Sequence, residues 1–154
     1  MVLVVPATSH TAASATDFAS ALEDFLRALR RARGRAAQAH SDGLSLAQFQ
    51  LLDVLGDDRP RTVGQLAEAG GVAQPTATRM LEGLVRAGVV ERSPAAEDRR
   101  CVLVSLTAPG REALAAKRAE VGAVRARLAA SLTAAEQRDA AVLLRRLSIL
   151  MEDL

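Results

Sequence analysis

The sequence predicts a mainly helical fold with one small β-hairpin, and three observations support this prediction. Apolar residues recur at helical spacing over most of the 154 residues. Capping residues, prolines and glycines divide these stretches into six helices. One stretch, from Val89 to Leu106, instead alternates apolar and polar residues on either side of a polar segment that contains a proline, which is typical of two strands and their connection.

The composition excludes several classes of protein. Apolar residues make up 49% of the chain but only three residues are aromatic, so alanine, leucine and valine must fill the core, which suits closely packed helices. A charged fraction of 25% argues against a membrane protein, and no apolar run approaches the roughly 20 residues of a spanning helix. Residues 1–5 are too short, and lack the basic start, for a secretory signal. We therefore expect a cytoplasmic protein.

The N-terminal part of the chain is predicted to be a flexible arm, residues 1–14, followed by a helix from Thr16 to about Ala39. The second half of this helix carries arginines with no acidic residue among them. These residues are Arg27, Arg30, Arg31, Arg33 and Arg35. Positive charge at a helix C-terminus is favoured by the macrodipole, so the cluster is explained either by capping and solubility or by contact with phosphate.

Three shorter helices are expected next, at about 45–55, 62–70 and 74–87. Thr62 and Gln65 have the form of a capping box at the start of the second, and Gly88 ends the third. A short helix, a turn with glycine, a second helix and a hairpin form, in that order, a winged helix-turn-helix. The second helix of the pair fits the major groove, and the hairpin tip can reach the neighbouring minor groove. Residues 41–106 are therefore predicted to bind DNA.

The sequence resembles the MarR family of bacterial regulators over about residues 18–153. The most specific stretch, 78–92, is similar to the family's recognition helix running into its first wing strand. A second match is Asp98, Arg99 and Arg100, followed after six residues by Thr107 and then by Gly110. The resemblance implies a sequence-specific regulator of double-stranded DNA, by default a repressor, with the recognition helix in the major groove and the wing in the minor groove.

Carried over by position, the resemblance places DNA contacts on the first turns of the recognition helix and on the wing. The helix residues are Gln74, Thr76, Ala77, Thr78 and Arg79. Arg79 would fork onto guanine or clamp a phosphate, or else form a salt bridge with Glu82. In the wing, the family's minor-groove arginine falls on Arg100 and Asp98 would orient it, or else the two residues form a solvated turn pair. Arg99 either contacts phosphate or is solvated. The helix start, 73–75, lacks the polar cap frequent in the family, so base readout there is expected to differ.

The first and last helical regions, 15–40 and 107–154, are predicted to be dimerisation helices, because both carry apolar stripes that one winged-helix module cannot cover. The resemblance implies that they interlock across a two-fold axis. Two recognition helices would then face half-sites about 10 base pairs apart in a pseudo-palindromic operator.

The resemblance also implies an effector, a small lipophilic or aromatic acid that binds between the dimer helices and the DNA-binding lobe and releases the DNA. The sequence has no Trp or Tyr, so stacking on such an effector would fall to Phe18, Phe25 or Phe49, which are otherwise core residues. Cys101, the single cysteine, is interpreted as structural, with oxidant sensing in the wing as the alternative.

Nothing in the sequence indicates an enzyme. It has no Gly-rich phosphate loop, nucleophile elbow or His–carboxylate cluster, and its two histidines show no metal-ligand spacing, so neither a cofactor nor a metal is expected. The alternative function is a winged helix that docks a protein partner. That alternative predicts DNA binding with little salt dependence and no sequence preference.

Overall fold

The computed structural model describes residues 8–39, 43–95 and 101–152. The chain divides into two compact units, residues 1–48 and 49–154. The prediction of a mainly helical fold with a small β-hairpin wing is confirmed.

The first unit contains α1, Thr8–Ala39, and the start of α2, Leu46–Leu52. Helix α1 begins eight residues before the predicted Thr16. The added turns are rich in alanine, a strong helix former that leaves no apolar stripe to detect. The helix therefore takes in residues 8–14 of the predicted arm, and residues 1–7 of that arm lie outside the described residues.

Helix α2 begins where the sequence predicts. The Ser45 hydroxyl accepts a hydrogen bond from the Gln48 N–H at 3.2 Å, and the Gln48 side-chain oxygen accepts one from the Ser45 N–H at 2.8 Å. This reciprocal pair satisfies two backbone donors at the helix N-terminus. After Leu52 the chain tightens into a 3₁₀ helix, Asp53–Asp57, which ends at Asp58 in a left-handed conformation.

The second unit holds a three-stranded antiparallel sheet in the order β1-β3-β2. Its strands are β1, Arg61–Thr62, β2, Val90–Pro94, and β3, Val102–Leu106. Strands β2 and β3 are the predicted hairpin. Strand β1 was not predicted, because two residues are too few to show an alternating pattern and Thr62 reads equally well as a helix cap.

Helices α3, Val63–Ala69, and α4, Gln74–Arg86, pack with this sheet around a single apolar core. The largest of its fully buried side chains come from α2, the 3₁₀ helix, α3, α4, the sheet and the helix that follows the sheet. They are Leu51, Leu52, Leu55, Leu66, Leu81, Leu114, Val90 and Val104. Leucine and valine fill most of this core, as the composition requires, and Phe49 of α2 is buried as well.

Helix α5, Ala108–Ala130, and helix α6, Ala134–Glu152, complete the second unit. Thr133 and Glu136 form a capping box at the start of α6. The Thr133 N–H donates to the Glu136 carboxylate at 2.8 Å, and this bond lowers the pKa of Glu136 below its usual value. None of the helices in the described ranges is both long enough and apolar enough to span a bilayer.

Candidate nucleic-acid interface

Helices α3 and α4 are joined by a tight turn, and both helix starts are well defined. The Thr62 hydroxyl accepts from the Gln65 N–H at 3.2 Å, and the Gln65 side chain accepts from the Thr62 N–H at 2.9 Å, so the predicted capping box is present. In the turn, the Val72 N–H donates to the Ala67 carbonyl at 3.0 Å, which ends α3. The two helices therefore leave the turn in a fixed relation, as a helix-turn-helix requires.

Helix α4 has one buried face. Ala77, Leu81 and Leu84 follow one another at spacings of four and three residues, with exposed fractions of 0%, 0% and 2%. This placement corrects the sequence prediction for Ala77, which the resemblance assigned to DNA contact. Its methyl group is small and apolar and lies on the stripe that anchors α4 to the core, so it cannot reach a base edge.

The opposite face of the first two turns of α4 is open to solvent. Gln74, Thr76 and Arg79 are exposed. Thr78 is half-buried, and its hydroxyl donates to the Gln74 carbonyl at 2.9 Å. That bond uses the only hydroxyl proton, so Thr78 can offer DNA an oxygen acceptor but not a donor.

The Arg79 guanidinium has no ion-pair partner within 4.0 Å among the described residues, and the alternative salt bridge with Glu82 is not formed. The helix start beside it is uncapped by any side chain, because Ala73 occupies the N-cap and Pro75 the first turn. An exposed, unpaired guanidinium close to a helix N-terminus forms an environment suited to an anion.

The wing is a regular hairpin whose strands pair from Val90 with Leu106 to Pro94 with Val102. One more hydrogen bond, from the Ala95 N–H to the Cys101 carbonyl at 2.8 Å, continues the ladder toward the tip. The predicted wing residues Asp98, Arg99 and Arg100 belong to the segment 96–100, which lies outside the described residues. Cys101 is half-buried and has a free thiol.

Two further arginines lie on this sheet, and the sequence prediction did not select them. Arg61 of β1 and Arg92 of β2 are the two cross-strand partners of Val104. Arg92 is exposed, whereas Arg61 donates to the Asp57 carboxylate at 2.6 Å. The Arg59 N–H and then the Arg61 guanidinium lower the pKa of Asp57 below its usual value. Arg61 and Arg92 flank β3 at the same level only because both β1 and β2 pair with it, and no local sequence signal could have shown the pairing of β1.

The base of the wing is closed by the residues that precede and begin α5. Two residues after the end of α4, Gly88 has φ +70°, a conformation that favours glycine. The Thr107 hydroxyl contacts the carbonyl oxygens of Gly88 and Val89 and accepts a bond from the Gly110 N–H at 3.0 Å. A Cβ atom on Gly110 would lie within 1.9 Å of the Val89 oxygen. The end of the recognition helix, the first wing strand and α5 thus meet at one junction.

Comparison with known proteins assigns the chain to a family. The sequence model of the MarR family matches residues 42–100, from just before α2 into the wing. The transcriptional repressor CouR, solved on a 23-mer DNA duplex, is 30% identical with a TM-score of 0.61, covering 80% of this chain and 89% of CouR. The chain belongs to the MarR family.

Two other proteins extend this comparison. The Bordetella bronchiseptica regulator BpsR, whose DNA binding is regulated by 6-hydroxynicotinic acid, is 28% identical with a TM-score of 0.68, covering 82% of this chain and 91% of BpsR. A helix-turn-helix transcriptional regulator of Mycobacterium tuberculosis is 35% identical over 93 residues, and the match spans 60% of this chain but only 65% of that relative. The MarR family and these relatives are transcriptional regulators and not enzymes.

The MarR assignment confirms the resemblance drawn from residues 78–92 and from the wing motif. The contacts at the wing base explain why the motif contains Thr107 and Gly110. These two residues support the DNA-binding surface indirectly, because they hold the wing base against the end of the recognition helix.

Proposed function

We propose that this MarR-family chain is a homodimeric transcriptional repressor that acts in the cytoplasm on a pseudo-palindromic operator. The observation that carries the proposal is the exposed start of α4, where Gln74, Thr76 and Arg79 lie on a helix held to the core by its opposite face. Arginine can form a bidentate pair with guanine, and glutamine with adenine, in the major groove. Thr78 joins this set as an acceptor.

The wing supplies the second contact in this proposal. The hairpin continues its hydrogen-bond ladder as far as Ala95 and Cys101. Arg100 would enter the minor groove, Asp98 would orient its guanidinium, and Arg99 would contact a phosphate. Arginine is the side chain that narrow, electronegative minor grooves attract.

The dimer rests on apolar surface that each terminal helix exposes. In α1, Phe18 and Phe25 are 54% and 55% exposed. In α6 none of the described residues is buried, and Leu150 and Met151 are 52% and 69% exposed. Contiguous apolar surface of this kind marks an interaction site. A second copy that covers these faces would place two recognition helices on two half-sites about 10 base pairs apart.

The experiment that tests this function is a titration of the purified protein with DNA from its own upstream region and with a scrambled duplex, at two salt concentrations. We expect a salt-sensitive complex of two subunits per operator and a clear preference over the scrambled duplex. Equal, salt-insensitive binding to both, followed by failure to select any site from genomic DNA, would show instead that the winged helix docks a protein.

Replacing Arg100 with alanine should weaken operator binding by about tenfold or more while leaving the dimer intact, because one minor-groove contact per subunit is lost. Operator titration and size-exclusion chromatography measure the two effects. Operator affinity equal to that of wild type in a folded Arg100→Ala dimer would remove the wing from the proposed mechanism.

An acidic effector has a suitable site in the second unit. Two adjoining clefts of about 250 and 320 Å³ lie between the 3₁₀ helix, the end of β3 and the first turns of α5. They share Asp58, Leu106 and Arg111, and the larger also reaches Arg118, whose guanidinium donates to the Asp53 carboxylate at 2.7 Å. Leucines and arginines together suit a small aromatic acid, which would compete with the aspartates for the guanidinium groups.

The effector proposal predicts that aromatic carboxylates such as benzoate or 6-hydroxynicotinic acid lower operator affinity at millimolar concentration, whereas the neutral benzamide does not. In an Arg111→Met variant the carboxylate should lose most of its effect, since the exposed guanidinium that attracts it is absent. The measured quantity is the ratio of operator affinities with and without ligand. An unchanged ratio in this variant would exclude the cleft as the effector site.

A further inference from the structure

Four of the five arginines in the second half of α1 lie on the face opposite its apolar residues, whereas Arg33 falls on the apolar side. At 3.6 residues per turn, Arg27, Arg30, Arg31 and Arg35 fall within one side of the helix. The exposed apolar side chains, Phe18, Leu22, Phe25 and Leu26, point to the other side. A partner that covers the apolar side would therefore leave the arginine side in solvent.

This arginine side, defined by Arg30, Arg31 and Arg35, is not neutralised within the described part of the chain. Arg27 pairs with Asp24 at 3.0 Å, but no acidic side chain among the described residues comes within 4.0 Å of the other three. All three are exposed. From Phe25 to Ala39 the sequence contains no aspartate or glutamate that could pair with them along the helix.

The spacing of these arginines disfavours the helix that carries them. Arg27, Arg31 and Arg35 succeed one another at four-residue intervals, and like charges at that spacing repel across one turn. The macrodipole compensates only in the last turn, and the basic residues stop before it. A bound polyanion would convert this repulsion into attraction, and arginine forks match phosphate oxygens in geometry.

We propose that the arginine side of α1 contacts the phosphate backbone of bound DNA without regard to sequence. The inference rests on the proposed DNA-binding function and adds a contact outside the winged helix. Only six residues, 40–45, join α1 to α2, so the chain itself tethers this charge to the module that carries the recognition helix. Such contacts raise affinity and its salt dependence equally for all sequences.

The test compares the full-length protein with an R30Q/R31Q/R35Q variant on operator and scrambled duplexes over a range of salt concentrations. Glutamine preserves helix propensity and leaves the apolar side of α1 untouched. The slope of log affinity against log salt should fall by about 2.7 for each subunit that contacts DNA, since about 0.9 is lost per phosphate contact. The operator and the scrambled duplex should lose affinity by the same factor.

Two matched variants keep the result interpretable. An R125Q/R127Q/R138Q variant removes the same charge from exposed positions on α5 and α6 and should keep the wild-type slope. An R30K/R31K/R35K variant retains the charge and should restore the slope. A slope of the R30Q/R31Q/R35Q variant equal to that of the α5–α6 control would overturn the inference. If the wild-type protein shows no preference for operator over scrambled duplex, the proposed function is wrong. The α1 contact is then still tested by the salt slopes measured on the scrambled duplex.

Discussion

A Gly110→Ala variant should lose at least about 3 kcal/mol of folding free energy, the largest stability effect that we expect from a single methyl group in this chain. The added Cβ would lie 1.9 Å from the Val89 oxygen and 2.9 Å from its carbonyl carbon. Both neighbours are backbone atoms, and the same carbonyl is held by the Thr107 N–H at 3.1 Å. The added Cβ and the Val89 carbonyl can move apart only if the wing base separates from α5. The midpoint of chemical denaturation measures the loss.

The same helix supplies the matched control. At Gly122 of α5, no atom of the described residues outside the neighbouring helix backbone lies within 4 Å of the position that a Cβ would occupy. Gly122→Ala should therefore stabilise the protein by about 0.5–1 kcal/mol, because alanine is the better helix former. Similar unfolding midpoints for the two variants would show that the wing base and α5 do not make the close approach described above.

An Arg79→Ala variant should bind operator more weakly by about 1–3 kcal/mol, a loss of roughly tenfold to a hundredfold, with the fold intact. Arg79 is exposed and its guanidinium makes no ion pair with the described residues, so its removal costs no internal interaction there. If Arg79 reads a base, the loss should be confined to sequences that carry the preferred base at one operator position, and the preference at that position should relax.

Competition titrations with operators mutated one base pair at a time measure both quantities. An Arg79→Lys variant separates the two roles, since lysine keeps the charge but not the bidentate fork. Restored affinity without restored preference would identify base readout, and a uniform loss across all sequences would identify a phosphate clamp. Wild-type affinity in a folded Arg79→Ala protein would contradict the placement of α4 in the major groove.

Local sequence signals were sufficient for the helix starts within the winged helix and at α6. Ser45 with Gln48, Thr62 with Gln65, and Thr133 with Glu136 each form reciprocal bonds over three residues, so the sequence contains both partners. The start of α1 was placed too late, because its first turns consist of alanine and small polar residues without an apolar stripe.

Features that depend on contacts distant in sequence were not predictable. Strand β1 exists only because it pairs with β3, some 40 residues later. The burial of Ala77 depends on which side of α4 faces the core, and a small residue is compatible with either side. The clefts beside Arg111 and Arg118 form where the 3₁₀ helix, β3 and α5 converge, and no single stretch of sequence shows that convergence.

The closure of the wing at its base has a consequence for how this protein can diverge. Thr107 ties the end of β3 to Gly88 and Val89, so the two ends of the hairpin are held together independently of its tip. Lengthening the connection between Ala95 and Cys101 then adds only loop-closure entropy, about 0.6 kcal/mol for each doubling of its length. Insertions and deletions at the tip can therefore change how far the wing reaches along a duplex, while the recognition helix keeps its position on the core. Wing length is thus free to change in descendants of this chain without a new core.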